Sequence, residues 1–295
     1  MVKLRTFGIS LTSLSVIGLS YYYYNHLKLL KLYPTLTVPS KLKISNRKDF
    51  PKTTSEWIKC DLGDSWAIKI SKNDFKNYLK DTKNDLGIEW NKAFWGNIAL
   101  KFEGFLWGLL GKHIWNMKSD SKNINIEKDE FKVGNTLLNG LFTIESNSNI
   151  PLEDSKNQFT QIIYKWGNLN STLKSKIIIK GGYHTLSVIS KSSLINNSNF
   201  TNKNQNLNQD EEEEEEDEIY LIFIAEGLSR FNSNSIINQN DKNINKEKIQ
   251  YKMNFLDKLF ISFHKEYSRI LMHLSIKRMG LENKFESVKE WPNGI

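Results

Sequence analysis

A histidine and a glutamate in the second half of the chain are the side chains whose spacing best suits acid–base chemistry. His184 lies in the run Ser175–Ile189 and Glu226 in the run Ile219–Leu228, and both runs are typical of strands. If the two runs pair as a hairpin, His184 lies opposite Ile224, and Glu226 is its diagonal neighbour on the same face. An imidazole oriented by a carboxylate would suit general-base hydrolysis. A purely structural pair at a sheet edge is the favoured interpretation.

The other histidines and the single cysteine do not form a pattern typical of a metal site or a nucleophile. Cys60 has no second cysteine with which to form a disulfide or a thiolate cluster. His264 and His273 are too far apart for a helical pair of metal ligands, so we expect ordinary boundary histidines. Phosphate-binding, dinucleotide and hydrolase motifs are missing from the sequence. The sequence therefore predicts no metal and no cofactor, and it favours a non-catalytic protein.

Aromatic side chains suggest a different chemistry, the binding of an apolar ligand. A curved sheet capped by an aromatic-rich helix can enclose an apolar cavity. Ordinary core packing is the competing interpretation for each of these side chains. The predicted lining residues are Trp95, Phe102, Tyr183, Phe223, Phe263 and Tyr267.

A run of β-rich segments must position these residues. Four segments rich in Ile, Val, Phe, Tyr and Thr are bounded by turn residues, which predicts an antiparallel meander. Gly181 and Gly182 lie inside the third segment, and glycines there indicate a bulge that curves the sheet. The four segments are Leu137–Ile144, Phe159–Trp166, Ser175–Ile189 and Ile219–Leu228.

Three segments have helical periodicity. Asp74–Lys83 and Glu89–Leu110 precede the strands, and Asn254–Met279 follows them, with Gly280 as its terminating residue. The pattern Gly104-x-x-x-Gly108 is an alternative dimer face, although a core helix is favoured. The predicted fold class is α+β, with a curved antiparallel sheet packed against a long C-terminal helix and preceded by a single N-terminal transmembrane helix.

The N-terminus has the features of a membrane anchor. Lys3 and Arg5 precede the uncharged run Phe7–Tyr24, whose length as a helix is about 27 Å. The tyrosines at its end are typical of an interfacial aromatic belt. A cleaved signal sequence, an organelle presequence or a buried soluble helix are the alternatives, because serines dilute the run and no acid precedes Asp49.

These patterns predict how the chain is organised around the membrane. Residues 1–32 form the anchor, with Leu27–Leu32 able to continue along the lipid surface, and residues 33–52 form a tether. A single domain over residues 53–280 contains a disordered insertion, 196–218, and a polar loop, 232–248, and residues 281–295 form a tail. Lysines after the span keep the large C-terminal part on the untranslocated side. We expect a mitochondrial membrane, with the endoplasmic reticulum membrane as the alternative.

Charge limits the choice of partners. The net charge is +8 although nine acids are concentrated in Asp210–Glu218, so the rest of the chain is strongly basic. Such a surface suits an anionic lipid bilayer. Nucleic acid is disfavoured because the lysines are scattered and no recognition motif accompanies them. The acidic run is interpreted as a solvated loop, with docking to a basic partner as the alternative.

Short strings of residues carry two resemblances. Ala93-Phe94-Trp95, Phe102-Glu103-Gly104, Gly181-Gly182-Tyr183-His184 and Phe263-His264-Lys265-Glu266-Tyr267 resemble segments of uncharacterised fungal, yeast-type single-pass proteins of mitochondrial membranes. The order of helix, curved strands and long last helix is similar to helix-grip domains of the START and polyketide-cyclase type. That resemblance implies an apolar ligand held between the sheet and the last helix.

Three functional hypotheses follow. The leading one is a membrane-anchored, non-catalytic domain that binds a lipid or other apolar ligand, or that assists assembly of a membrane complex with a partner protein. The second is an enzyme acting on a lipid-like or acyl substrate through His184 and Glu226. The third is a structural interaction protein.

Overall fold

The computed structural model describes ten stretches of the chain and places them in an α+β domain. These are residues 24–39, 42–44, 57–78, 86–115, 125–126, 130–151, 158–167, 179–191, 218–230 and 255–291. The predicted anchor up to residue 23, nearly all of the insertion 196–218 and the loop 232–248 lie outside the described residues.

The described residues form eight strands and several helices. The strands are β1 (Leu36–Thr37), β2 (Trp57–Ser71), β3 (Thr136–Leu137), β4 (Phe142–Pro151), β5 (Gln158–Gly167), β6 (Ile179–Ser190), β7 (Glu218–Arg230) and β8 (Phe285–Ser287). The helices are α1 (residues 24–32), α2 (Lys72–Tyr78), α3 (Leu86–Trp95), α4 (Ile98–Trp115) and α5 (Phe255–Arg278).

All the strands belong to one antiparallel sheet. Its order is β1-β2-β7-β6-β5-β4-β3, and β8 also pairs with β2. Three predicted β segments lie in β5, β6 and β7 as far as the structure describes them, but the predicted segment Leu137–Ile144 crosses the turn between β3 and β4. Strands β4 to β7 form an antiparallel meander. The predicted irregularity at the glycines is also confirmed, because the register of β6 against β7 shifts between Ile179 and Gly181. Strand β2 was not predicted, although Trp66, Ile68 and Ile70 alternate along it and are buried.

The two faces of the sheet are covered differently. Helices α3 and α5 cover one face, where Trp66, Phe223 and Met272 belong to the main hydrophobic cluster. On the other face, side chains from near the two ends of the described chain pack on Ala67, Ile222 and other strand residues. These side chains are Leu36, Val38, Leu42, Val288 and Trp291.

This second cluster changes the predicted organisation of the chain. We predicted a tether over 33–52 and a tail over 281–295, but the described parts of both are integrated into the domain. Leu36 pairs with Ser65 in the sheet, Ile44 is 1% exposed, and Phe285 pairs with Ile70. The apolar residues of these short stretches are too few to show a period, so only their burial identifies them as structural.

The segment predicted as one helix over Glu89–Leu110 is two helices. Helix α3 ends at Trp95, and Asn97 caps α4 by accepting a hydrogen bond from the backbone N–H of Leu100 at 3.0 Å. The Asn97 amide also donates to Ser275 Oγ on α5 at 3.3 Å. Asn97, which lies in the break between α3 and α4, therefore links these helices to α5.

Replacing Asn97 with alanine should lower the free energy of unfolding by about 1 to 2 kcal/mol, because the first turn of α4 loses its cap. Urea unfolding followed by circular dichroism measures the loss. Asn73→Ala, at an exposed position in the first turn of α2, is the matched control and should stay within about 0.5 kcal/mol of the parent. Equal midpoints for the two variants would contradict the capping role.

The C-terminal helix is confirmed, and so is its terminator. Gly280 has a φ of +63°, which is the left-handed conformation that glycine adopts most easily. The N–H of Gly280 donates to the Lys277 carbonyl, and the N–H of Leu281 donates to the Ile276 carbonyl. These two bonds form a Schellman motif, which ends α5 at a defined residue.

The described start of the chain is helical and lies against α5. His26 Nδ1 is 2.9 Å from a carboxylate oxygen of Glu266, and Leu29 and Leu32 pack against the main cluster. These two leucines therefore face protein rather than lipid. Within the part of the chain that the structure describes, no helix combines the length and the apolarity that a membrane crossing requires.

Candidate functional site

A cavity of about 240 Å³ lies between the helices and the main face of the sheet. Protein interiors contain few voids larger than one water molecule, so a cavity of this size is unusual in a domain core. Its wall is predominantly aromatic and aliphatic. The lining residues are Phe94, Trp95, Leu100, Glu103, Leu141, Phe142, Trp166, His184, Phe263, His264, Tyr267 and Leu271.

Three neighbouring strands supply the floor of the cavity. Phe142 pairs with Trp166 across β4 and β5, and Tyr164 pairs with His184 across β5 and β6. Trp166 lies opposite Gly182, where an added Cβ would come within 2.9 Å of the indole nitrogen and 2.1 Å of a backbone oxygen. Glycine at position 182 therefore leaves the space in which the Trp166 ring lies beside the cavity.

Helices α4 and α5 form the opposite wall. Asn97 meets Ser275, and further along Glu103 accepts a 2.5 Å hydrogen bond from the Tyr267 hydroxyl, so the two helices run antiparallel. Burial and the neighbouring carboxylate raise the pKa of Tyr267, which keeps the hydroxyl protonated. Phe263 lines the cavity and is 69% exposed, so the cavity opens to the surface beside it.

Exposed apolar side chains lie along both helices of this wall. On α4 they recur at helical spacing, and on α5 Leu259 precedes Phe263 by one turn, so each helix presents an apolar stripe. Because the two helices are antiparallel, Phe105 and Leu106, which follow Glu103 on α4, lie toward the same end of the helix pair as Leu259 and Phe263, which precede Tyr267 on α5. These exposed residues are Ile98, Phe102, Phe105, Leu106, Leu259 and Phe263, and we call them the apolar rim.

Two stacked histidines form another polar part of the wall. The ring centroids of His184 on β6 and His264 on α5 are 5.5 Å apart, with an angle of 29° between the ring planes. The His184 ring also contacts Phe142 and Phe223, at centroid distances of 5.1 and 5.2 Å. His184 is 7% exposed, and among the described residues its Nε2 has no hydrogen-bond partner.

Burial keeps both rings uncharged at neutral pH. Desolvation lowers the pKa of His184 well below its usual value of 6.5, and the nearby His264 lowers it further. Desolvation also lowers the pKa of His264, against the opposing effect of Asp64. Below a pH of about 6.5 these histidines bind protons in the unfolded chain but stay neutral in the folded protein. Both therefore lower the free energy of unfolding as the pH falls below that value.

Four of the eight residues predicted from sequence line the cavity, and four, including Glu226, do not. Trp95, His184, Phe263 and Tyr267 are brought together as lining residues. Phe102 is 61% exposed on α4. Tyr183 is buried on the other face of the sheet, and Phe223 lies in the core between Trp66 and Phe94.

The predicted His184–Glu226 pair is wrong by one residue of register. His184 pairs with Ala225, and Glu226 pairs with Tyr183. A shift of one residue moves a side chain to the opposite face of a sheet, so Glu226 points away from the cavity. There its carboxylate accepts a hydrogen bond from the backbone N–H of Ile44 at 2.9 Å.

His264 is a site residue that sequence reasoning did not assign to the cavity. We expected an ordinary boundary histidine, and its burial is intermediate, but it also lines the cavity with Tyr267 and Leu271. Its spacing of three and seven residues from those two was a usable signal, because residues at that spacing share one helix face. Glu103 was missed as well, since a lone acid in an apolar run reads as a solvated position.

Within the described residues, no group of three or more His, Cys, Asp or Glu side chains is placed to hold a metal ion. Comparison with protein-family models, curated proteins and solved structures finds no match to this chain. The cavity and its two histidines are therefore the observations on which a function can be argued.

Proposed function

We propose that this protein binds an apolar ligand in the cavity between its sheet and its C-terminal helix, without catalysing a reaction. The observation that carries the proposal is the cavity itself, whose wall is aromatic and aliphatic except for a few polar groups. Pockets that enclose drug-sized ligands have volumes of roughly 300 to 1,000 Å³. A volume of about 240 Å³ therefore suits a small apolar molecule or one segment of a longer chain.

We further propose that the fold is of the helix-grip type, with a curved sheet. The order of elements supports this assignment, because β1, β2 and a group of helices precede the meander and the long helix follows it. The short strand β8 is an addition after that helix. Register irregularities in β2 against β7, β4 against β5 and β6 against β7 support curvature. In such a fold the ligand lies between the sheet and the last helix.

The apolar rim supports a position against a lipid bilayer. Exposed apolar patches of this kind mark interaction sites, and Lys101 and Lys258, two exposed residues that lie next to members of the rim, are both basic. Basic residues beside apolar ones favour anionic lipid over a second protein surface. An N-terminal anchor in a mitochondrial membrane, or in that of the endoplasmic reticulum, would hold the cavity opening at such a surface.

The two alternative functions have less support. The enzyme hypothesis required Glu226 to orient His184, and the two side chains lie on opposite faces of the sheet. The dimer face at Gly104 would need that residue free, but Leu138 packs on it and the Asn139 amide donates to its carbonyl at 2.7 Å. The structural interaction hypothesis therefore loses Gly104 as an exposed contact surface.

Filling the cavity tests the proposal. Leu271 lines the cavity and is 3% exposed, so Leu271→Trp should occupy the ligand volume and weaken binding at least tenfold. The full chain is placed in phosphatidylcholine vesicles with a diazirine-bearing alkane, and the labelled peptides are mapped after irradiation. In the parent protein, label should concentrate in the peptides that contain residues 94–103 and 263–271.

Leu274→Trp is the matched control, because Leu274 lies on the same helix but does not line the cavity. That variant should label like the parent, and circular dichroism should give both variants the parent's helix content. If Leu271→Trp labels as strongly as Leu274→Trp, the ligand does not occupy this cavity and the proposal fails.

A further inference from the structure

A carboxylate and two aromatic rings lie together beside the opening of the cavity. Phe263, at the opening, stacks on Tyr267 with the ring centroids 6.2 Å apart and an angle of 6° between the ring planes. The Tyr267 hydroxyl donates to the Glu103 carboxylate. All three residues line the cavity, and each is partly or largely exposed. We call Glu103, Phe263 and Tyr267 the mouth cluster.

The charges of the wall favour a cation at the mouth cluster. Among the described residues that line the cavity, Glu103 carries the formal charge at neutral pH, and none is a lysine or an arginine. Burial lowers the pKa of His184 and of His264, so neither ring supplies a positive charge. Asp64, which acts on His264, is itself paired with Lys265 at 3.0 Å. The carboxylate would therefore attract a cationic head and repel an anionic one.

The aromatic rings add a second attraction that is specific for cations. The face of an aromatic ring is its negative part, and ammonium groups are bound against such faces in aromatic cages. Two rings of the mouth cluster lie beside the carboxylate, and Trp166, also partly exposed, belongs to the same wall. Because these residues are not fully buried, an ammonium group there keeps part of its hydration and avoids the cost of complete burial.

The buried part of the wall specifies what the ammonium group is attached to. These lining side chains are apolar except for one histidine, so an alkyl chain that extends inward from the mouth cluster would contact aromatic and aliphatic groups. The buried lining residues are Phe94, Trp95, Leu100, Leu141, Phe142, His184 and Leu271.

We propose that the ligand is a cationic amphiphile, with an alkylammonium head held by Glu103, Phe263 and Tyr267 and an alkyl chain in the buried part of the cavity. This inference rests on the proposed function, because it assigns the head group of a ligand held in the same cavity. A long-chain amine and a choline lipid share this head-group chemistry.

Probes of equal chain length, each with a diazirine at the end of the alkyl chain, test the head group. The full chain is kept in maltoside micelles, which contain no ammonium lipid, and receives an alkane, a trimethylammonium or a carboxylate probe. Labelling of the peptides that contain residues 94–103 and 263–271 is divided by the labelling that the alkane gives. Comparing this ratio between parent and variant cancels the partition of each probe into the micelle.

Glu103→Gln should lower the ammonium ratio about tenfold and raise the carboxylate ratio, because the charge that attracts the one head and repels the other is lost. The glutamine oxygen can still accept from the Tyr267 hydroxyl, so the wall keeps its contact. Glu130→Gln is the matched control, since Glu130 is an exposed acid, paired with Lys132 at 3.1 Å, that does not line the cavity. It removes the same charge and should leave both ratios unchanged.

Phe263→Leu separates the contribution of the ring from that of the charge. Leucine keeps an apolar side chain at the opening but removes the aromatic face, so the ammonium ratio should fall about threefold. The carboxylate ratio should not rise, because Glu103 is still present. A rise of the carboxylate ratio as large as that in Glu103→Gln would contradict the assigned role of the ring.

The outcomes distinguish the two proposals. If the alkane labels the cavity peptides but Glu103→Gln lowers the ammonium ratio no more than Glu130→Gln does, the cationic assignment is overturned and ligand binding stays intact. If no probe labels these peptides, the proposed function itself fails, and the head-group inference fails with it.

A phosphocholine probe of the same chain length separates the two sources of the ammonium group. Labelling as strong as that of the trimethylammonium probe, and equally sensitive to Glu103→Gln, assigns the head to a choline lipid. Weaker labelling assigns it to an amine without a phosphate, which the Glu103 carboxylate would repel. Both results support the ammonium assignment.

Discussion

Replacing Trp95 with alanine is expected to lower the free energy of unfolding by about 3 to 5 kcal/mol, the range for truncating a buried tryptophan. Trp95 is 1% exposed, and its ring contacts Phe94, Phe142 and Tyr164 at centroid distances between 4.6 and 5.6 Å. It therefore joins the end of α3 to two strands. Alanine would leave a void continuous with the cavity, which the surrounding rings cannot close without moving.

Phe102→Ala is the matched control for this prediction. Both residues were predicted from sequence to line a ligand pocket, but Phe102 is 61% exposed on α4. Its truncation should change stability by less than about 0.5 kcal/mol. Urea unfolding monitored by circular dichroism compares the two variants, and similar losses in both would contradict the placement of Trp95 in the core.

Replacing Arg269 with methionine should cost about 3 kcal/mol and release the segment that follows α1. Its guanidinium donates to the Tyr33 carbonyl at 3.1 Å, to Thr35 Oγ1 at 2.7 Å and to the Glu266 carboxylate at 3.2 Å. Arg269 is 7% exposed, so its loss leaves buried acceptors without a donor. Removing one member of a buried charged network is destabilising by about 3 to 5 kcal/mol.

Hydrogen exchange distinguishes this effect from a general loss of stability. Amides of residues 33–39 should exchange faster in Arg269→Met, while amides of β6 keep a protection reduced only by the global change. Lys277→Met, at an exposed position on the same helix, should leave the exchange rates of both sets of amides unchanged. If Arg269→Met raised the exchange rates of all amides in the domain by the same factor, Arg269 would not specifically hold the 33–39 segment.

The cavity residues illustrate how far sequence reasoning reached. Trp95, Phe263 and Tyr267 were predicted because each lies in a segment with strong helical periodicity, and a helix that covers a sheet turns one face toward it. The same reasoning gave a wrong prediction for Phe102, because a new helix, α4, begins after Asn97 and leaves Phe102 on its exposed side. A helix break of two residues thus changed which aromatic side chains reach the cavity.

The histidine pair illustrates a limit of a different kind. His184 was singled out from a strand pattern, but its partner was assigned by counting across a hairpin whose register differs by one residue. Because side chains in strands alternate between faces, that difference moved Glu226 to the other face of the sheet. His264 then became the neighbour of His184, a contact between a strand and a helix that hairpin counting cannot reveal.

Local patterns in the sequence were sufficient to determine β5, β6 and β7, the C-terminal helix and its glycine terminator, because burial on one face repeats with the period of each element. Tertiary structure alone decided the register of β6 against β7, the burial of Leu36, Val38 and Ile44, and the contact between His184 and His264. Those features depend on partners far away in the chain, as with Arg269 and Tyr33, which are 236 positions apart. Such partners leave no local period, so only the packed chain reveals them.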